Sequence, residues 1–289
     1  MKRPKILVIL GATATGKSDF AVKIAKRLNG EIISADSRQV YKGLDLGTGK
    51  ITKKEMRGVP HWLLDVARPR LKFSVAQYKL LADKKIVEII KRKKLPIIVG
   101  GTGLYIKAIV DNINFPEVKP NLKLRKKLAK YSAQKLFNII KKLDPARAKT
   151  VESKNPRRLI RAIEIAKVLG RVPKLKSKPQ YDAIQIGLIL PDEELKKKIY
   201  KRLIERIKQG MIAEAKRSHN NGLSFRRMEE LGLEYKYLAL YLKKKITKKE
   251  MIEQLYKAIW DYVRRQKVWF KKDKRITWIN PHKKLNLTF

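Results

Sequence analysis

The sequence predicts an α/β fold: a P-loop doubly wound, mostly parallel sheet with an inserted helical subdomain. Three observations predict it. Short apolar runs alternate with helical stretches through the first part of the chain. The first of them, "KILVIL", runs directly into "GATATGKS" at 11–18, which fills G-x-x-x-x-G-K-[ST]. From about residue 112 to about 180 the pattern turns helical, basic and punctuated by prolines, before "AIQIGLIL" at 183–190 restores a strand. The predicted organisation is therefore a P-loop core over 1–111 and 181–289, with a helical basic insertion over 112–180.

Each element follows from its local pattern. "PKILVIL" ends at Gly11, as a buried parallel strand does. Beyond the loop, Phe20, Ile24 and Leu28 recur at helical spacing with Ala21 and Ala25 beside them, and "NG" at 29–30 stops that helix. "EIIS" at 31–34 and "WLLDV" at 62–66 read as the next strands. Ser74 caps a long helix to about Lys94, and "PIIVGG" at 96–101 is a fourth strand. The last helix is expected from about Thr247 to Lys272, with Ile252, Leu255, Tyr256, Ile259 and Val263 inward, and "ITWI" at 276–279 as a late edge strand.

Composition narrows the function classes. With no cysteine among 289 residues, disulfides, cysteine zinc sites and thiol nucleophiles are excluded. No apolar stretch reaches the roughly 20 residues of a membrane helix. The basic start "MKRPKILVIL" is read as a buried strand and not a signal peptide, so a soluble, cytoplasmic protein without a membrane partner is expected. A formal net charge of +45 predicts affinity for polyanions, nucleic acid first. The same excess also fits lysine-rich solvated faces.

In the loop, Gly11 and Gly16 let the backbone curl around Ala12, Thr13, Ala14 and Thr15 so that amide hydrogens point inward. Lys17 supplies a cation, and the Ser18 hydroxyl can ligate magnesium. The helix that follows adds its positive end. This constellation is specific for a polyphosphate and silent about what the phosphate carries. A second magnesium carboxylate is usual in kinases; Asp65 is a candidate, with a structural pairing as the alternative. A motor, a small-molecule kinase and a transferase using another diphosphate all remain open.

Asp36 follows the second strand, at the carboxyl edge where open α/β sheets place ligands. Alone it would read as a turn or helix cap. Here Ser37, Arg38, Gln39 and Tyr41 follow, side chains suited to reading and stacking on a base. A carboxylate beside such groups, across from a phosphate cradle, points to transfer onto a nucleobase.

"GATATGKS", "ADSRQVYKGLDLGTGK", "VPHWLLDV", "FSVAQY", "PIIVGGTGLYIKAI", "NPRRLIRAIEI" and "YVRRQKVWF" together resemble the bacterial tRNA dimethylallyltransferase (tRNA isopentenyltransferase) family, from about residue 4 to about 280. The resemblance implies transfer of a dimethylallyl group from dimethylallyl diphosphate to the exocyclic amino group of the adenosine just 3′ of the anticodon. It implies Mg2+ as cofactor and the tRNA anticodon stem-loop as partner. The P-loop would hold the isoprenoid diphosphate, and Asp36 would be the general base. Asp36, Ser37, Arg38, Gln39, Thr102 and Arg125 would touch tRNA, as would Arg157, Arg158, Leu159, Ile160 and Arg161 of "RRLIR". A monomer is expected. Two departures stand out. Where many members carry a Gly-Tyr-Arg-type stretch, this chain reads "ELGLEYKYL" at 230–238, so no tRNA contact is carried over to Gly232, Tyr235 or Lys236. No zinc finger follows Trp278, which predicts the bacterial type.

Lys119, Lys123, Arg125, Lys126, Lys127 and Lys130 form a basic segment that suits RNA or a solvated helix face. Arg157 and Arg161 lie one turn apart, able to clamp a phosphate backbone or to close as a kinase lid. Arg264 and Arg265 are candidates to approach diphosphate or RNA, whereas Trp269 and Phe270 read as core. Glu214 and Lys216 read either as neighbours of the donor or as surface. The alternative functions are a nucleoside or small-molecule P-loop kinase, a prenyltransferase acting on free AMP, and a basic RNA-binding protein.

Overall fold

A computed structural model of the chain describes residues 3–282. Six strands form one sheet in the order β3-β2-β4-β1-β5-β6. They are β1 (Lys5–Gly11), β2 (Gly30–Ser34), β3 (His61–Trp62), β4 (Leu95–Gly100), β5 (Asp182–Leu188) and β6 (Ile276–Ile279). Every pairing between them is parallel. Parallel strands are buried on both faces, and β1 shows it: Ile6, Val8 and Leu10 enter one core, Leu7 and Ile9 the other.

The helices of the first half are α1 (Lys17–Arg27), α2 (Lys53–Met56), α3 (Val75–Lys91) and α4 (Gly103–Val110). The smaller core is closed by α1 through Ala21, Val22, Ile24 and Ala25. Ser74 caps α3 with a complete capping box, its hydroxyl accepting from the Gln77 amide. The third strand is shorter than the apolar run suggests. Leu63 (φ 62°) and Asp65 (φ 58°) turn left-handed and end the extended path after Trp62.

The chain divides into two compact units, 1–112 with 179–289, and 113–178. The smaller unit holds α5 (Leu122–Leu128), α6 (Ala133–Leu143), α7 (Pro145–Ala148) and α8 (Pro156–Leu169). It has its own core, built on Leu128, Leu136, Ile140, Leu159 and Ile163. The larger unit continues with α9 (Asp192–Lys208), α10 (Met211–Asn220), α11 (Phe225–Leu231), α12 (Leu233–Leu242) and α13 (Lys248–Phe270). These pack with α3 and α4 over the larger core, where Leu195, Leu203, Met228, Leu238 and Val263 are buried. No described helix is long and apolar enough to cross a membrane.

Candidate active site

A crevice of about 1100 Å³ opens at the carboxyl edge of the sheet. The turn after β1 supplies its floor. Gly11 lies so close to β5 that a Cβ would stand 2.6 Å from the Leu188 carbonyl oxygen. Gly16, at φ 86°, precedes the first residue of α1 in a left-handed conformation that favours glycine. Between them the Thr15 hydroxyl donates to the Ala12 carbonyl at 2.9 Å and is sealed from solvent. Thr13, Ala14, Gly16, Lys17 and Ser18 line the crevice, while Gly11, Ala12 and Thr15 are buried behind it and shape the loop.

Lys17 donates to the Ala12 carbonyl at 2.5 Å. Burial, with Arg202 adding like-charge repulsion, pushes its ammonium down to about 7 despite the opposing pull of Asp36. Arg202 is itself lowered to about 10, by burial first and Arg206 second. Burial leads both shifts and like charge adds to them, so an anion bound beside these two cations would favour their charged forms.

Asp36 sits in the turn after β2. Its Oδ1 accepts from the amides of Arg38 at 2.7 Å and Gln39 at 3.3 Å. The turn-capping role is therefore real, and it occupies one oxygen; Oδ2 makes no hydrogen bond among the described residues. Ser37, Arg38 and Gln39 line the same crevice as the P-loop. Thr102 does not line it but positions this turn, accepting from the Ser37 amide at 3.0 Å. Gln39 spends its amide group on the Gly49 carbonyl at 3.1 Å and so also fixes the opposite wall.

That wall, residues 45–50, is anchored from beneath. Glu214 is buried and accepts from the backbone amides of Asp45 and Leu46 through Oε2, and of Gly47 through Oε1, at 2.8–2.9 Å. The Tyr235 hydroxyl donates to Oε1 at 2.7 Å, and burial with the Glu214 charge raises that phenol well above its ordinary range. Glu214 is thus a loop anchor and lines no part of the crevice, and Lys216 faces solvent. Asp65 is also outside the crevice, paired at 2.5 Å with Lys50. The pairing alternative holds for it.

Gln266 of α13 joins two loops. Its Oε1 accepts from the Thr13 amide and its Nε2 donates to the Gly101 carbonyl, both at 2.9 Å. Arg265 lines the crevice, whereas Arg264 points to Asp261 and stays largely exposed. Tyr262, Arg202, Arg206 and Glu234 also line it. None was singled out from the sequence, because each lies on a helix whose polar positions read as surface. Trp269 corrects its expected core placement: its side chain covers Gly103 yet remains 39% exposed, while Phe270 is buried.

In the smaller unit, Arg125 and Arg161 converge on Glu164, whose side chain is only 1% exposed. Arg125 meets it with two bonds, at 2.8 and 2.6 Å, and the Asn121 amide adds a third at 2.9 Å. Burial alone would raise the Glu164 carboxyl, but these donors outweigh it and hold the group below its ordinary value. Arg157 and Arg158 are exposed, as are Lys119, Lys123, Lys126, Lys127 and Lys130. Leu159 is fully buried and Ile160 packs against the same core, so the Leu159 side chain seats α8 and offers nothing to a ligand.

Among the described residues no cluster of three His, Asp or Glu side chains could hold a metal by itself. A magnesium ion fits a different donor set, one hydroxyl plus phosphate oxygens and water. Ser18, beside Lys17 in the lining, meets that requirement.

Comparison with known proteins agrees with this geometry. The family model described as IPP transferase matches residues 39–273. The chain is 40% identical over 285 residues to a tRNA dimethylallyltransferase of Halothermothrix orenii, covering 95% of this chain and 87% of that one. It is 41% identical to the same-named protein of Anoxybacillus flavithermus, over 96% and 90%. Among solved structures, the full-length tRNA isopentenylpyrophosphate transferase of Bacillus halodurans matches with TM-score 0.74 at 37% identity, over 96% of this chain and 90% of that one. A eukaryotic dimethylallyltransferase acting on tRNA shares the fold, with TM-score 0.83 at 24% identity, over 96% and 74%. With a P-loop at the carboxyl edge of a parallel sheet, a carboxylate across the crevice, and likeness along nearly its whole length, the chain belongs to the IPP transferase family.

Proposed function

We propose that the chain transfers a dimethylallyl group from dimethylallyl diphosphate to the exocyclic amino group of the adenosine 3′-adjacent to the anticodon in tRNA, releasing diphosphate. The observation that carries this reading is that Asp36 and the cations Lys17, Arg202 and Arg206 line one crevice. The adenine nitrogen attacks C1 of the dimethylallyl group as the C1–O bond breaks. The bonding pair leaves on the diphosphate, and the nitrogen's proton goes to Asp36 Oδ2. Lys17, the arginines and the loop amides stabilise the departing charge, the kind of effect that is usually the largest in catalysis. A magnesium ion held by Ser18 and the diphosphate would add Lewis-acid stabilisation of the same oxygens.

Adenine's amino lone pair is delocalised into its ring, so a positioned base contributes typically about 10²–10⁴ in rate. The target base must leave its stack to reach the crevice. Tyr262 and Arg38 line the same crevice and would be available to contact such a base. The exposed lysines of the smaller unit, with Arg157 and Arg158, form the basic face proposed for the anticodon stem-loop. A monomer acting in the cytoplasm is part of this proposal.

The test is direct. Labelled dimethylallyl diphosphate and labelled ATP are each offered with total tRNA or with AMP. Label moving from the prenyl donor into tRNA supports the reading. Label moving from ATP, or into AMP alone, replaces it with a kinase or an AMP prenyltransferase.

A further inference from the structure

Glu234 is a crevice carboxyl that the proposed reaction leaves without a task. It stands in the first turn of α12, behind Gly232 (φ 74°) and Leu233 (φ 38°). A leucine in the left-handed region is strained, and this sharp turn brings residue 234 to the crevice wall. Its Oε1 accepts from Arg206 Nη1 at 3.4 Å, with both side chains mostly covered, at 14% and 16% exposure. The other side of that guanidinium lies against Gly49, where a Cβ would collide with it. Arg206 is therefore held between a backbone and a carboxylate.

A covered cation without an anion is costly. Before any diphosphate arrives, Glu234 supplies that anion. After transfer the same geometry works in the opposite direction. Inorganic diphosphate would lie among Lys17, Arg202 and Arg206 with Glu234 facing it, like charge to like charge.

We propose that Glu234 competes with diphosphate for Arg206: it is the counter-ion of the empty crevice and the group that weakens retention of the product. The inference rests on reading the crevice as a diphosphate site. Facing Glu234 are Arg202 and Arg206 from α9, Asp36 from the turn after β2, Tyr262 from α13 and its neighbour Tyr235. Burial raises the Glu234 carboxyl above its ordinary value, with Arg206 opposing. A raised carboxyl is neutral on the acid side and anionic on the alkaline side, so the competition strengthens as pH rises.

The experiment measures the affinity of inorganic diphosphate, with Mg2+, for the wild-type chain, Glu234→Gln and Glu234→Ala across a pH series, with thermal unfolding as the check on folding. Both variants are expected to bind roughly 5- to 100-fold more tightly than wild type on the alkaline side, the range for removing one like charge at such separations. The gap is expected to close on the acid side, where the wild-type carboxyl has taken up its proton. In turnover, Glu234→Gln should lower kcat and the donor KM together. A carboxylate that merely braced Arg206 would give the opposite sign, because a loosened guanidinium binds diphosphate less well. Equal or weaker binding by both folded variants overturns the inference alone. Failure of wild type and variants alike to bind diphosphate overturns the diphosphate site and the inference with it.

Discussion

Gln266 accepts a hydrogen bond from the backbone amide of Thr13 at 2.9 Å, across 253 positions of sequence. With its second bond, to the Gly101 carbonyl, it ties the P-loop to the turn after β4. Gln266→Ala should leave a half-buried amide and a buried carbonyl unsatisfied, costing about 1–3 kcal/mol of stability. Donor affinity should fall with it, since Thr13 belongs to the cradle. Chemical unfolding and donor titration on one preparation check both. Wild-type affinity would mean that the loop holds its shape unaided.

Lys17 makes a prediction about protons. Its ammonium is pushed down to about 7, by burial first, so above that pH the empty site holds it largely neutral. A bound diphosphate favours the charged form, so binding on the alkaline side should take up close to one proton that a Lys17→Met variant does not. Calorimetry in buffers of different ionisation enthalpy reads the difference. Transfer by Lys17→Met should be abolished at accessible donor concentrations, and equal proton uptake in both proteins would remove Lys17 from the diphosphate site.

Asp36→Asn keeps the size of the side chain and its acceptor for the Arg38 and Gln39 amides, but removes the basic carboxylate. Single-turnover transfer should fall by roughly 10²–10⁴. Affinity for dimethylallyl diphosphate should stay within a few-fold, because the cradle lies in the P-loop. A wild-type rate would leave Asp36 as a turn residue only.

The smaller unit has a core of its own, so removing 113–178 across a short linker should leave the catalytic unit folded. Diphosphate binding should persist and tRNA binding should be lost. For the full chain, log affinity for tRNA should fall steeply with log salt, by about 0.7–0.9 per phosphate contact. A truncated protein that still modifies tRNA at the wild-type rate would reassign the RNA site to the core.

Most of the sheet could be read from local pattern, because parallel strands are apolar on both faces, and β1 and β4 stop at glycine. The P-loop was legible for the same reason: its chemistry needs adjacent residues. The third strand was overread, since nothing in "WLLDV" announces the left-handed turns at Leu63 and Asp65. The far wall was hidden. Arg202, Arg206 and Gln266 sit on later helices, where one polar residue aimed at a loop is indistinguishable by spacing from a solvated one. The family likeness implies roles for Asp36 and Thr102, and the geometry adds that Thr102 accepts a hydrogen bond from the Ser37 amide.

The order of β1 and β5 has a consequence for how the protein is made. Lys5 pairs with Asp182 and Gly11 with Leu188, so the strand that opens the chain waits for a neighbour on the far side of the insertion. At about 5–20 residues per second, a ribosome needs roughly ten to forty seconds to deliver it. Gln266, which fastens the first loop, emerges later still. The growing polypeptide is thus rich in RNA-attracting charge long before it owns a finished catalytic centre, and truncated translation products would be sticky but inert.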